Sequence, residues 1–428
     1  MRTTSLFITV LLAGAGLWPV GRLSAAQLAS GGRPTWLTEV SAASRVGYDS
    51  NVFGVDNARV GAPLADQQAW TVSLGVRLAV SVSAMREAPK DQLQLGYAPT
   101  VNWLKGAAGE DHAQHRFTIA SAGRRDAWTW LLDSATTYTG GPEDSPRFNA
   151  YNIFGMGLVR DRRAQLQETA KAWLRYDGAR WFARGTTAML INDYRTALRA
   201  PTAAEAGRLN WVDRSDLNGG VDLGWKISPG ASLLLGGRLG RQHQATTPWL
   251  TKSSSNHYTR VLAGFEGRPT RWLSGSLLVG PDFRRYAAAT QCMTDRTPVA
   301  WHYTGNLTAA LNATDSLTFT VKQERWLSST GQSAYEARTL SLGWQHVFSE
   351  RWHLQLSGQL QQGKYPAPIV RNDVLCSGQA QLRWRATKLF VVTLDATVQS
   401  ATDLVDLPAT DGRNFHRSLL GIGVQRVF

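Results

Sequence analysis

Trp70-Thr71-Val72-Ser73-Leu74-Gly75-Val76-Arg77-Leu78-Ala79-Val80-Ser81-Val82 decides the fold. Every second residue from Trp70 to Val82 is apolar, and small or polar residues fill the places between. Alternation of this kind puts one set of side chains on each face of an extended strand. The period recurs along the chain. Leu217, Val221, Leu223 and Trp225 alternate with Asp216, Asn218, Asp222 and Lys226. Leu354, Leu356 and Leu360 alternate with His353, Gln355, Ser357 and Gln359, and Phe390, Val392, Leu394 and Val398 with Thr393, Asp395, Thr397 and Gln399.

Working outward from these stretches gives eighteen candidate strands, with sixteen as the alternative count. They are 36–48, 68–82, 91–104, 113–122, 127–139, 163–176, 180–194, 213–226, 231–243, 256–267, 271–286, 297–311, 315–327, 334–347, 351–363, 373–385, 389–400 and 414–428. The connections alternate in length. Long ones such as 49–67, 140–162 and 195–212 take turns with short ones such as 177–179, 227–230 and 312–314. Ser228-Pro229-Gly230 and Arg268-Pro269-Thr270 have turn chemistry. Long loops at one end and short turns at the other are the layout of a transmembrane β-barrel with short periplasmic turns and long extracellular loops. An even count brings both termini to the short-turn end, where the last strand can pair with the first. The fold class expected is therefore all-β, a closed antiparallel barrel.

Composition agrees. Of 428 residues 18% are charged, against about 25% in soluble domains. The net charge is +14, and 43% of residues are hydrophobic. That content excludes a disordered chain, and two cysteines exclude a disulfide scaffold. Residues 1–26 read as a cleaved secretory signal: Arg2, an apolar run from Leu6 to Val20, and small Ser24-Ala25-Ala26 before the cut. A chain that leaves the cytoplasm does not carry its basic charge for nucleic acid. Residues 27–35 would form a short periplasmic segment and 36–428 the barrel. Strands that begin near Trp36 leave no room for an N-terminal plug domain.

The aromatics cluster at strand ends. Trp128, Trp181, Trp225, Trp272, Trp344, Trp352 and Trp384 adjoin short turns, while Tyr48, Trp70, Trp103, Tyr138, Tyr258, Tyr286 and Trp326 adjoin long ones. Two such belts mark two membrane interfaces. On this reading the apolar set faces lipid and the polar set lines a lumen.

The chain ends on Phe428 behind Leu420, Ile422 and Val424. This end resembles the assembly signal of bacterial outer-membrane proteins, although Arg426 stands where an apolar residue is usual. Tyr48-Asp49-Ser50-Asn51-Val52-Phe53 resembles a stretch at the first strand of outer-membrane β-barrel porins, some of them associated with exosortase and exopolysaccharide systems. The Gly280-Pro281-Asp282-Phe283-Arg284 and Tyr97-Ala98-Pro99 stretches resemble such barrels too. The resemblance implies the outer membrane of a Gram-negative-type bacterium, lipid and the barrel-assembly machinery as partners, and polysaccharide-export components as further ones.

The expected function is passive, non-enzymatic passage of small polar solutes, with anions or saccharides in view. The alternative is a barrel component of an exopolysaccharide export or surface-display assembly. Arg45, Arg77, Lys171, Arg175, Arg184, Arg238, Arg260, Arg284, Lys322 and Arg383 fall on the polar face as pore-lining candidates. Bases outnumber acids there, which would favour anions. The bland alternative is charge pairing across strands. The longest loop, 140–162, is expected to fold inward and constrict the pore, with Glu143, Asp144, Arg160, Arg162 and Arg163 as its charged candidates. Cys292 and Cys376 could form one disulfide in an oxidising compartment, or stay free. Glu110-Asp111-His112-Ala113-Gln114-His115 has a His-x-x-His spacing, but a solvated loop is the reading preferred over a metal site. His302 and His346 single out no triad. No Gly-rich phosphate loop or nucleophile elbow occurs, and no cofactor is expected.

Overall fold

The computed structural model describes residues 34–54, 67–85, 91–143, 162–198, 200, 210–248, 253–287, 295–329, 334–366, 371–405 and 414–428. The strands are β1 Leu37–Asp49, β2 Ala69–Ser81, β3 Asp91–Lys105, β4 His112–Arg125, β5 Trp128–Gly140, β6 Gln165–Asp177, β7 Trp181–Tyr194, β8 Arg214–Ser228 and β9 Ala231–Gln244. Then come β10 Asn256–Gly267, β11 Leu273–Tyr286, β12 Val299–Ala310, β13 Asp315–Trp326, β14 Tyr335–Val347, β15 Trp352–Tyr365, β16 Arg371–Arg385, β17 Phe390–Asp403 and β18 Phe415–Val427. The count is eighteen, not sixteen. Each strand pairs antiparallel with its sequence neighbour, and β1 also pairs with β18, so the sheet closes on itself. Long connections such as 50–68, 141–164 and 195–213 share one end, and short ones such as 126–127, 178–180 and 229–230 the other.

The outward face is apolar. On β2, Trp70, Val72, Leu74, Val76 and Leu78 are all exposed, Trp70 at 57%. Val221, Leu223 and Trp225 on β8, Leu239 on β9 and Trp301 on β12 continue the surface, Leu239 at 67% and Trp301 at 64%. A soluble protein does not present contiguous apolar surface on this scale to water. The polar set therefore faces inward.

The inward face is not uniformly polar. Phe182, Leu234 and Leu262 lie on it, fully or almost fully buried. Phe182 is covered by the Arg175 guanidinium, 3.6 Å from its ring centre. It fits because Gly224 stands beside it; a Cβ there would come within 2.1 Å of the Phe182 ring. Two members of the expected aromatic belt also turn inward. Tyr258 and Tyr286 are 3% and 2% exposed, and the Tyr258 hydroxyl donates to Asp216 at 2.7 Å. Trp326 faces inward as well, with Lys322 and Arg214 against its ring. Parity on the strand, not closeness to a loop, sets these three.

Two ion pairs reinforce the closing seam. Asp49 at the end of β1 receives the Arg417 guanidinium of β18. Arg45 of β1 reaches over β18 to Asp395 of β17, donating from Nε at 3.1 Å. Its path crosses Gly421, where a Cβ would lie 2.5 Å from the Arg45 guanidinium. Ser44 of β1 stands directly opposite Val424 of β18 on the outward face. In a chain with Cys292→Ser and Cys376→Ser, the pair Ser44→Cys and Val424→Cys is expected to cross-link on mild oxidation. The check is a mobility change on denaturing gels; a barrel open at this seam gives no cross-link.

Candidate functional site: the barrel lumen

The lumen wall over β6–β11 carries two ion-pair clusters, one over β6–β10 and one over β10–β11. Arg175 donates to Glu266 at 2.8 Å and to Asp177 at 2.8 Å. Arg184 bridges Glu266 at 2.7 Å and Asp222 at 2.8 Å. Arg238 meets Asp222 at 2.7 Å, and Arg260 and Arg284 meet Asp282 at 3.2 and 2.8 Å. Glu266 sits on β10 while Arg175 sits on β6, so this bond reaches across the inside of the wall. Arg284 and Asp282 are almost fully buried. Removing one partner from such a buried pair strands the other charge and costs about 3–5 kcal/mol.

The ten expected lining residues thus divide by role. All lie on the inward face. Arg175, Arg184, Arg238, Arg260 and Arg284 belong to these clusters, with Arg284 buried and Arg260 nearly so. Arg45 is tied to Asp395, Arg77 to Glu39 at 3.1 Å, and Lys322 to Glu324. Lys171 and Arg383 have no ion-pair partner among the described residues, and neither do inward Arg116 and Arg385. Two inward acids are likewise without an ion-pair partner among the described residues: Asp133, and Asp216, which accepts from Gln242 and Tyr258 at 2.6 and 2.7 Å.

The facing wall, β15–β17, has a different chemistry. Gln355, Gln359 and Gln361 of β15 face inward with Gln379 and Gln381 of β16 and Thr393 and Thr397 of β17. None of these side chains makes a hydrogen bond within the described residues, so their amides and hydroxyls are available to the lumen.

Among the described residues a chain segment folds in at the long-loop end of the lumen; most of the expected constriction loop, 144–161, lies outside them. Leu327, Ser328 and Ser329, just past β13, reach along the wall to lie against β8 and β9, five and four strands away in the ring. Arg214 donates to the Leu327 carbonyl at 2.6 Å, and Gln244 to that of Ser328 at 2.7 Å. Gln242 donates to the Arg325 carbonyl at 3.0 Å, and the Val212 N–H to that of Ser329 at 2.8 Å. Leu327 is 2% exposed and packs with Tyr286 and Ala334. Spacing in the sequence carried no sign of this contact.

Of the expected constriction residues, Asp144 and Arg160 lie outside the described residues. Glu143 is exposed, and its carbonyl accepts the Ala197 N–H at 2.9 Å. Arg162 and Arg163 are buried rather than presented to the lumen. Arg163 bonds Glu110 at 2.8 Å, and Arg162 lies 3.3 Å from the other Glu110 oxygen. Arg162 also donates to the Val52 carbonyl at 2.7 Å. Burial lowers the Arg162 pKa to about 10 from the usual arginine value, with Glu110 opposing the shift. Nearby in the long-loop rim, burial raises the Asp213 carboxyl, even though the Tyr194 N–H donates to it at 2.7 Å.

Glu110 is thus a counter-ion, not part of a metal site. His112 and His115, three apart on β4, point to opposite faces, and His115 bonds the Tyr97 hydroxyl at 2.8 Å. His346 bonds Asp315 at 2.8 Å on the outer face, while His302 is buried on the inner one. Among the described residues no three metal-ligating side chains gather. Cys376 is a free, exposed thiol on the outward face of β16; Cys292 lies outside the described residues.

No family model matches the chain, and no curated protein matches it. Among solved structures it is similar to a ferric enterobactin receptor mutant (PfeA) from Pseudomonas aeruginosa, at 9% identity and a TM-score of 0.43, covering 91% of this chain and 80% of that one. OpdK with vanillate, from the same organism, matches at 8% identity and a TM-score of 0.44, over 91% and 98% of the two chains. A BenF-like porin from Pseudomonas fluorescens Pf-5 matches at 7% and 0.44, over 92% and 100%. At this level of similarity, nothing about solute or partner passes to this chain.

Glu110→Gln is expected to destabilise the barrel by about 3–5 kcal/mol, because it removes the one carboxylate that buried Arg162 and Arg163 share. The measurement is the denaturant midpoint of the detergent-folded protein. An unchanged midpoint would show that the two guanidinium groups have other compensation.

Proposed function

We propose that this barrel spans the outer membrane of a Gram-negative-type bacterium and gives passive, non-enzymatic passage to small polar solutes, anions before cations. The observation that carries the reading is the division between faces. The outer face carries a broad apolar band, and the inner one, among the described residues, holds cations without an ion-pair partner at Arg116, Lys171, Arg383 and Arg385 against two such acids, Asp133 and Asp216. A narrow lumen walled by low-dielectric material concentrates anions when its fixed charge is positive. The signal-like residues 1–26 and the segregated loop lengths support export to that membrane. Long loops then face outside and short turns the periplasm.

A second reading has an observation in its favour. The amide and hydroxyl wall of β15–β17 suits a polyhydroxylated solute, which would fit a saccharide cargo or a barrel component of exopolysaccharide export. A saccharide that blocks the current would support it.

In planar bilayers the purified barrel is expected to conduct in discrete steps and to favour chloride over potassium in a salt gradient. Lys171→Glu with Arg383→Glu and Arg385→Glu is expected to move the reversal potential toward cation preference. A silent barrel sinks the channel reading; an unchanged reversal potential sinks the anion preference alone. Arg214→Ala with Gln244→Ala frees the Leu327–Ser329 segment and is expected to raise the step size. If deleting 145–158 raises it instead, the third long loop is the narrowing element.

A further inference from the structure

Three basic side chains stand in one row on the outer surface. Arg241 of β9, His257 of β10 and Arg285 of β11 are directly opposite one another in register. All three are exposed, and none has a carboxylate in ion-pair reach among the described residues. Directly opposed side chains on neighbouring strands lie about 5 Å apart at Cβ, so the two guanidinium groups stand only two strands apart with no acid between them, and their like charges repel. In the lumen wall the crowded Arg175, Arg184, Arg238, Arg260 and Arg284 each have an acid beside them. This row has none within the chain.

What lies below the row tells which anion it meets. The next outward rung toward the short-turn end is Leu239, Thr259, Phe283 and Val299, in register across β9–β12. Trp301 follows one rung further down, 64% exposed. The cations thus sit at the edge of the apolar band, on the long-loop side, with an interfacial tryptophan nearby. A soluble anion has no reason to be held at that edge. An amphiphile whose phosphate is bonded to its own acyl chains is delivered to it.

We propose that Arg241, His257 and Arg285 form a binding row for the phosphorylated headgroup of a membrane lipid in the leaflet at the long-loop end. This rests on the reading of the barrel as membrane-spanning. Two guanidinium groups offer forked donors to phosphate oxygens, and the imidazole adds an N–H between them. The lipid's acyl chains lie down over Leu239, Phe283 and Val299. The bound phosphate supplies the counter-charge that the sheet lacks, so the row is a liability in a neutral lipid and a clamp in an anionic one.

The test uses the full chain in phosphatidylcholine vesicles with or without lipid A, a diphosphorylated glycolipid. After flotation the barrel is extracted gently, and retained lipid A is counted by native mass spectrometry. Wild type is expected to keep lipid A and not its dephosphorylated form. Arg241→Gln with Arg285→Gln is expected to cut retention about tenfold, the scale of a lost charge-assisted contact. Arg426→Gln, at the opposite rim, is expected to leave it unchanged. In neutral detergent the double variant should melt higher than wild type, since the like-charge opposition is gone. Equal retention by the double variant, or by wild type for the dephosphorylated lipid, overturns the row. Displacement of lipid A by equimolar inorganic phosphate also overturns it, making this a free-anion site. A barrel that fails to float with either vesicle overturns the membrane reading and the row together; one that floats yet keeps no lipid A overturns the row alone.

Discussion

Every other feature depends on the pairing of β1 with β18. A sheet whose outer face is apolar cannot end on an open edge in lipid, because unpaired backbone N–H and C=O groups there find no water. Closure removes the edge and creates an inside in the same step. Once the seam from Ser41–Val427 to Asp49–Leu419 is made, alternation alone sends Val46, Val72 and Leu420 outward and Arg45, Arg77 and Arg417 inward. The seam is also where side chains reach furthest: Arg45 passes over Gly421 to Asp395, and Arg417 takes the carboxylate that ends β1. Closure is backed by charge as well as by the ladder.

The interior is then a problem of charge, and it is solved differently on its two sides. Over β6–β11 the arginines and acids neutralise one another so fully that Asp222 and Arg284 lose contact with solvent. That wall gives rigidity and narrows the space. Over β15–β17 the wall is amide and hydroxyl, and β4, β6 and β16 hold the cations left over. A solute would pass between a self-satisfied wall and one with hydrogen-bonding groups to offer. The Leu327–Ser329 segment meets the self-satisfied wall at its long-loop end, so the segment is fixed where the barrel is already stiffest.

The strand pattern was legible in the sequence because the period of two depends only on local geometry. Candidate 256–267 became Asn256–Gly267 without change, and others moved by a few residues. Inward placement of the arginines followed from the same parity. What sequence did not carry was contact across the lumen. Arg175 and Glu266 are 91 residues apart and share no register, so nothing local relates them. For the same reason nothing local showed that the Glu110 carboxylate, unlike its carbonyl beside His112, goes to Arg162 and Arg163. Phe182 is the instructive exception to the polar interior. An arginine plane above it and a missing Cβ beside it make a place for a ring that pattern alone would send to lipid.

The account turns on which face meets lipid, and one measurement reads that directly. Single spin labels placed in turn from Phe390 to Val398 on β17, in reconstituted vesicles, report collisions with oxygen and with a water-soluble nickel complex. Labels at Phe390, Val392, Leu394, Ala396 and Val398 should favour oxygen, and those at Val391, Thr393, Asp395 and Thr397 should favour nickel or be shielded from both. The opposite alternation, or none, would contradict a barrel with its apolar face in the membrane.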